Sequence, residues 1–182
     1  MGVGNMIGEN FFILSGAPGS GKSTLLQNLK TEGFRVVPEP ARQVLSEQRG
    51  IDGNGLPEKD ARLFVELMLS RAIYEFDRSD AEKAPVFFDR GIPDTVAYAA
   101  HFGFDYSQGQ NAAEKYRYNS RVFFAPAWEQ IYTCDDERRM SFEAARQFGV
   151  ELRSVYQQAG YELIELPFLS AAERTQFIIE LI

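Results

Sequence analysis

The stretch that decides the fold is residues 10–24, NFFILSGAPGSGKST. Its first part is an apolar run with aromatic and branched side chains, which predicts a buried β-strand over residues 10–15. Three glycines follow within the next six residues and mark a turn. Leucines then recur at helical spacing and predict a helix over residues 22–30. The stretch therefore predicts a strand, a glycine-rich turn and a helix in immediate succession.

The rest of the chain continues this alternation. Further short apolar runs predict strands over residues 34–39, 85–89, 129–133 and 161–166. Helical patterns lie between them, over residues 58–82, 93–101, 110–122 and 142–159. A last helix is predicted after Ser170, because Ser170 and Glu173 have capping-box spacing. Strands that alternate with helices form parallel sheets covered on both faces. The sequence therefore predicts a three-layer α/β/α fold around a five-stranded, mainly parallel sheet.

Length and composition indicate an ordinary globular domain. The chain has 182 residues, and at ~150 residues per domain this predicts a single domain over residues 1–182. Lys and Arg number 19 against 26 Asp and Glu, a net charge of −7, which argues against a nucleic-acid binder. The single cysteine, Cys134, and the single histidine, His101, exclude an intrachain disulfide and most zinc sites.

Neither export nor membrane insertion is predicted. The first nine residues lack the basic start and apolar core of a signal peptide. The apolar runs are far shorter than the ~20 residues that span a bilayer. We therefore expect a cytoplasmic protein without a membrane partner, and we make no prediction of its oligomeric state.

The glycine-rich turn matches the phosphate-binding pattern G-x-x-x-x-G-K-[ST], with the strand before it and the helix after it that the pattern requires. Its backbone N–H groups and the free N–H groups of the helix start are suited to a polyphosphate. Lys22 would reach the β and γ phosphates, and the Ser23 hydroxyl would bind Mg²⁺. The predicted cofactors are ATP and Mg²⁺, although this loop does not distinguish ATP from GTP. The predicted nucleotide-binding residues are Gly16, Ala17, Pro18, Gly19, Ser20, Gly21, Lys22, Ser23 and Thr24.

Charged residues follow the other predicted strands, at the sheet edge where parallel α/β proteins bind ligands. Asp89, with Arg90 beside it, ends one strand, where a carboxylate can hold Mg²⁺ or accept a proton from an acceptor hydroxyl. Glu39 and Arg42 follow another strand and can face the same crevice if Pro40 starts a helix. We predict that both bind the acceptor directly; the alternative is that the two opposite charges pair with each other.

Two further segments are candidates for the site. Asp94 could cap a helix or hydrogen-bond an acceptor. The run Asp-Asp-Glu-Arg-Arg follows the strand predicted over residues 129–133, and a segment near residues 135–147 is predicted to form a lid over the transferring phosphates. Arg138 or Arg139 in that segment would stabilise charge on the γ-phosphoryl group, or would belong to a solvated helix start.

On these motifs the sequence resembles the P-loop kinases. The segments GAPGSGKST, VPEPAR, FFDRGIPDTVAYAAHFG, DDERR and YQQAGYELIELP are similar to an AAA-type P-loop family that includes the ribosylnicotinamide kinase domain. The resemblance implies phosphoryl transfer to a small acceptor. By this resemblance, Asp89 would be the carboxylate that binds the metal or acts as the base, and Arg90 would contact the acceptor or a phosphate. Arg138 or Arg139 would be the lid arginine. Glu39 and Arg42 fall on the family's Glu-Pro-x-Arg stretch.

Two functions are consistent with these features. The first is a small-molecule kinase that transfers the γ-phosphoryl group of ATP to a nucleoside, a nucleotide or a similar acceptor. The second is an NTP-binding or NTP-hydrolysing regulator without an acceptor. The third predicted strand ends in Asp-Arg and not Asp-Glu, which argues against a ring-forming motor. No Asn-Lys-x-Asp motif is present, which argues against a GTPase switch.

Overall fold

The computed structural model describes residues 6–79, 84–132 and 140–182. Its strands are β1 Met6–Ile7, β2 Phe11–Gly16, β3 Arg35–Val37, β4 Val86–Asp89, β5 Tyr116–Arg117, β6 Arg121–Ala125 and β7 Glu162–Glu165. Its helices are α1 Lys22–Thr31, α2 Pro40–Gly50, α3 Ala61–Asp77, α4 Ile92–His101, α5 Ser107–Lys115, α6 Phe142–Gln158 and α7 Ala171–Ile179.

The main sheet of the described chain has five strands in the order β3-β4-β2-β6-β7, and every neighbouring pair is parallel. The predicted three-layer α/β/α architecture is confirmed. The register sets Leu14 opposite Asp89 and Gly16 opposite Ala125. The carboxyl ends of β2, β4 and β6 therefore lie side by side, and the loops that follow them share one edge of the sheet.

Strand β2 is buried throughout because helices cover both of its faces. Successive side chains of a strand point to opposite faces, and all six residues of β2 are buried. Phe11 and Ile13 pack in a cluster with α2, α3, α4 and α5. Phe12 and Leu14 pack in a second cluster with α1 and α7. Each such fully buried side chain contributes about 1.5–3 kcal/mol. This packing also brings α7, at the end of the chain, beside α1.

The fourth strand of the sheet lies earlier in the chain than predicted. A strand over residues 129–133 is wrong, because Glu129–Ile131 is a short 3-10 helix and residue 133 lies outside the described ranges. The strand is β6, and the helix predicted over residues 110–122 ends at Lys115. The run VFFA of β6 is buried against β2, and Pro126 ends the strand because proline has no N–H for the ladder.

Local signals set the helix boundaries. Helix α2 begins at Pro40, the first helical position that proline favours. Helix α3 is shorter than the predicted residues 58–82, since the Asp60 carboxylate accepts a hydrogen bond from Leu63 N (2.9 Å) and starts the helix there. The predicted capping box at Ser170 is confirmed at the start of α7. No helix of the described ranges combines the length and apolar character needed to cross a bilayer.

Candidate active site

The glycine-rich loop joins the central strand β2 to helix α1, which begins at Lys22. Gly19 and Gly21 have φ of 70° and 84°, a conformation that favours glycine. At Gly16, φ is 129°, and a Cβ would lie 2.1 Å from the Ala125 carbonyl oxygen of the neighbouring strand. Only glycine fits there. The loop geometry therefore depends on the glycines of the sequence pattern.

The Lys22 ammonium lies inside this loop. It is buried, and its Nζ donates hydrogen bonds to the carbonyl oxygens of Ala17 (2.7 Å) and Gly16 (3.1 Å). Its distance to Ser20 Oγ is 3.4 Å, and Ser20 Oγ donates to Ala17 O (2.7 Å). These contacts hold the positive charge inside the loop.

A cavity of about 370 Å³ opens beside the loop, within the 300–1,000 Å³ typical of ligand pockets. Three groups of residues line it. The loop wall is Gly19, Ser20, Gly21, Lys22, Ser23 and Thr24; the acidic wall is Glu39, Arg42 and Asp89; the far wall is Trp128, Ile131, Leu169, Ser170, Ala171 and Arg174. The remaining predicted loop residues, Gly16, Ala17 and Pro18, do not line the cavity. They form the base of the loop at the end of β2.

The acidic wall is held by a buried arginine. Glu39 Oε1 accepts from Arg90 Nε (2.9 Å), and Glu39 Oε2 pairs with Arg42 Nε (3.3 Å). Arg90 is buried and has a φ of 69°, which is strained for a residue with a side chain. The alternative that Glu39 and Arg42 pair is therefore observed, and both also line the cavity. Arg90 does not line it and contacts the acidic wall through Glu39.

Asp94 is buried behind this wall and does not line the cavity. Its Oδ1 accepts from Arg90 Nη1 (2.8 Å) and Ser15 Oγ (2.8 Å), and its Oδ2 accepts from Gly91 N (2.8 Å) and the Tyr156 hydroxyl. Of the two sequence interpretations, the helix-start role is observed, because Gly91 N precedes α4. Burial, followed by the negative charge of Asp94, raises the pKa of Tyr156 well above its ordinary value. Because Arg90 Nη1 is one of its hydrogen-bond donors, the Asp94 carboxylate also holds the Arg90 side chain in place.

Asp89 and Ser23 fit a metal ion by the chemistry of their oxygens. Asp89 ends β4 beside β2, and Asp89 and Ser23 line the same cavity. Mg²⁺ prefers oxygen ligands and is usually bound by one or two protein groups together with phosphates and water. Within the described ranges no group of three or more His, Cys, Asp or Glu side chains forms a metal cluster. The two residues fit an ion that is shared with a bound nucleotide.

Sequence reasoning missed the far wall. Arg174 Nη1 donates to Ser20 O (3.1 Å), and its guanidinium carbon lies 5.7 Å from the centre of the Trp128 ring. Trp128 in turn packs against Phe168 at 5.3 Å between ring centres. The capping box at Ser170 locates helix α7 in the sequence, but no local pattern predicts that it packs on the loop 154 residues away.

The first part of the predicted lid, residues 135–139, falls outside the described residues. Arg138 and Arg139 lie in the undescribed range 133–139, so their roles stay predictions. Of the predicted lid segment, residues 140–147 are described. There Ser141 begins α6, and its hydroxyl accepts a hydrogen bond from Ala144 N (3.2 Å).

This fold, with its phosphate-binding loop at the end of the central strand, is that of the kinase-like P-loop NTPases. The chain belongs to the family described as AAA domain, whose model matches residues 11–174. The resemblance read from the sequence is thereby confirmed. No curated protein matches the chain in sequence.

Solved structures of small-molecule kinases share the fold. NadR protein in complex with NR has a TM-score of 0.67 at 17% identity, over 97% of this chain and 51% of that one. Deoxyadenosine kinase from M. mycoides with bound dATP has a TM-score of 0.64 at 14% identity, over 97% and 98%. Shikimate kinase from Acinetobacter baumannii with shikimate has a TM-score of 0.60 at 17% identity, over 94% and 91%.

Proposed function

We propose that the protein is an ATP-dependent kinase of a small molecule. It would transfer the γ-phosphoryl group of ATP to a nucleoside, a nucleotide or a similar acceptor, in the cytoplasm. The observation that carries the proposal is that the loop wall and the acidic wall line one cavity. Binding of a nucleotide without an acceptor would need only the loop wall. The carboxylates of Glu39 and Asp89 opposite it provide groups that can bind and deprotonate an acceptor.

The loop wall would bind the nucleotide. The N–H groups of the loop and of the α1 start surround the phosphates, and Lys22 contacts the β and γ phosphates. To do so its ammonium must leave the carbonyls of Gly16 and Ala17, to which it now donates. Ser23 and Asp89 would hold Mg²⁺, which neutralises charge on the β and γ oxygens when bound.

The acidic wall would bind the acceptor. Arg42, whose side chain is 38% exposed, lies at the cavity and can reach a polar acceptor, while Glu39 orients the acceptor hydroxyl. The acceptor oxygen would form a bond to the γ phosphorus as the bond from that phosphorus to the bridging oxygen breaks and ADP leaves. Either Asp89 or Glu39 would receive the hydroxyl proton. Arg90 would act through Glu39, since it is buried between Glu39 and Asp94.

The relatives favour a small polar acceptor. The proteins named above were solved with shikimate, with dATP and with NR. Their likeness to this chain is one of fold, so the acceptor has to be identified by assay. A cavity of about 370 Å³ is of a size that binds small molecules.

The test is ADP formation by the purified protein with Mg²⁺ and ATP against nucleosides, nucleotides, pyridine ribosides and sugar-like hydroxy acids. Each assay has an acceptor-free control. We expect acceptor-dependent ADP formation with one class of the panel. Slow hydrolysis that no acceptor changes would contradict the kinase and support the regulator predicted as the alternative.

A binding measurement complements the assay. With a non-hydrolysable ATP analogue and Mg²⁺ at saturation, a true acceptor should raise the melting temperature by a further increment, because it binds the folded state. A regulator without an acceptor site should show no second increment with any compound.

A further inference from the structure

Arg174 is a buried cation beside the phosphate-binding loop. It is the fourth residue of α7, and only 3% of its surface is exposed. One hydrogen bond, from Nη1 to Ser20 O (3.1 Å), ties it to the loop. A Cβ on Gly21 would lie 3.2 Å from the same Nη1, so the guanidinium lies against the loop residue that precedes Lys22.

Within the described residues, Arg174 has no acidic partner. Its neighbour Glu173 accepts from Ser170 instead, and Arg174 Nε is buried without a hydrogen-bond partner in the same ranges. The residue also lies in the first turn of a helix, where the helix dipole disfavours a cation. Burial lowers the pKa of Arg174, although an arginine stays charged at neutral pH.

Arg90, the other buried arginine near the cavity, has acidic partners that compensate its charge. Arg90 is equally buried, but Glu39 and Asp94 both contact it, at 2.9 and 2.8 Å. Breaking such a pair leaves a buried charge and costs several kcal/mol. For the Arg174 guanidinium, the described chain shows one hydrogen bond, to a carbonyl, and one contact with an aromatic ring. The cavity that it lines is where a negative charge would complete its surroundings.

We propose that Arg174 is a phosphate-binding residue that contacts the polyphosphate of the nucleotide from the far wall. The inference rests on the proposed nucleotide site and adds to it a cation that the loop pattern does not contain. A guanidinium offers five N–H donors in a planar fork that matches phosphate oxygens. Its bond to Ser20 O keeps it beside the loop, so the phosphates would lie between Lys22 and Arg174.

The experiment compares R174M with R153M and the wild type. Methionine keeps the apolar stem and removes the charge. Arg153 is the matched control, because it also lies over an aromatic ring, Phe124 (4.9 Å), but pairs with Glu165 and does not line the cavity. The probes are magnesium tripolyphosphate, which has no base or sugar, and a non-hydrolysable ATP analogue.

We expect R174M to bind magnesium tripolyphosphate and the ATP analogue about 10- to 100-fold more weakly than the wild type, as the loss of a charge-assisted hydrogen bond predicts. R153M should bind both as the wild type does. Without ligand, R174M should melt at or above the wild-type temperature, because the substitution removes an uncompensated buried cation.

The outcomes separate the two proposals. If wild-type protein binds neither probe, the proposed nucleotide site fails. If the wild type binds both and R174M binds tripolyphosphate equally well, the phosphate role of Arg174 is overturned. A clear fall in the melting temperature of ligand-free R174M, or failure of that variant to fold, would also overturn it, since Arg174 would then be a structural requirement.

Discussion

The loop wall and the acidic wall face each other across one cavity, yet they are built differently. The loop wall comes from consecutive residues, 19–24, and its Lys22 ammonium is held by the loop's own carbonyls. The acidic wall depends on Arg90, which contacts Glu39, 51 residues away in sequence, and Asp94. Behind them Asp94 contacts Ser15 and Tyr156, 79 and 62 residues away.

Because the two walls are built differently, we expect substitutions in one to affect ligand binding and substitutions behind the other to affect stability. Lys22 and its loop make contacts that a phosphate can replace, so substitutions there should affect the ligand more than the fold. The network behind the acidic wall is buried, and ion pairs and hydrogen bonds join Arg90 to Glu39 and Asp94. Substitutions there should therefore first reduce the free energy of unfolding. Each of the following experiments tests this separation.

The largest effect is expected for K22M. Loss of the charge that we propose to contact the β and γ phosphates should lower kcat/KM for ATP by about 10³-fold, the upper range for a removed transition-state donor, with the fold intact. K30M is the control, because Lys30 lies exposed in the last turn of the same helix. Steady-state kinetics and thermal melts measure both quantities. Loss of stability in K22M without loss of ATP binding would reverse the comparison.

D94N should act in the opposite way. The substitution neutralises the Asp94 carboxylate, which accepts four hydrogen bonds and pairs with buried Arg90. The free energy of unfolding should therefore fall by about 3–5 kcal/mol. The remaining folded protein should bind the ATP analogue as the wild type does. Urea unfolding of D94N beside D105N, an exposed aspartate, measures the difference. Unchanged stability would show that the network does not hold the acidic wall.

R42M tests the acceptor side without disturbing the buried network. Arg42 is partly exposed and pairs with Glu39 of that network, so stability should change by less than about 1 kcal/mol. The KM for the acceptor should rise about 10-fold, with the KM for ATP unchanged. R49M, in the exposed last turn of the same helix, is the control. An equal rise in the KM for ATP would place Arg42 on the nucleotide.

The smallest effect is expected for Y156F and depends on pH. Burial, and then Asp94, raise the pKa of Tyr156 in the folded protein, whereas the unfolded chain releases this proton near pH 10. Stability is therefore lost as the pH rises above 10, with up to about 1.4 kcal/mol per pH unit from this residue. Y156F should lose about 1 kcal/mol at pH 7 and show a shallower alkaline decline.

The control for this pH experiment is Y74F, because Tyr74 is 58% exposed. Urea unfolding at pH 7 and at several values above pH 10 gives the slope for each variant. An alkaline slope in Y156F equal to that of the wild type would mean that the Tyr156 hydroxyl does not remain protonated in the folded state.

Local sequence predicted the elements whose signals lie within a few residues. The glycine pattern predicted the loop, Pro40 and Ser170 predicted helix starts, and the apolar run of β2 predicted the central strand. The same reasoning misplaced β6, since the run VFFA lies close to a helical pattern and only pairing with β2 selects the strand. Local sequence also left the role of Asp94 open between a helix cap and an acceptor contact, because its partner groups include residues of β2 and α6.

By itself, the sequence determined the phosphate-binding loop, the alternating fold and the candidate carboxylates at the strand ends. These depend on backbone conformation and burial pattern, which neighbouring residues encode. Only the tertiary structure decided that Arg90 is enclosed between Glu39 and Asp94 and that Arg174 lies against Ser20. Charges that are far apart in sequence meet only when the sheet brings its strand ends together and α7 packs beside α1. The partners that each charge then has distinguish a structural charge from one that we propose to bind a ligand.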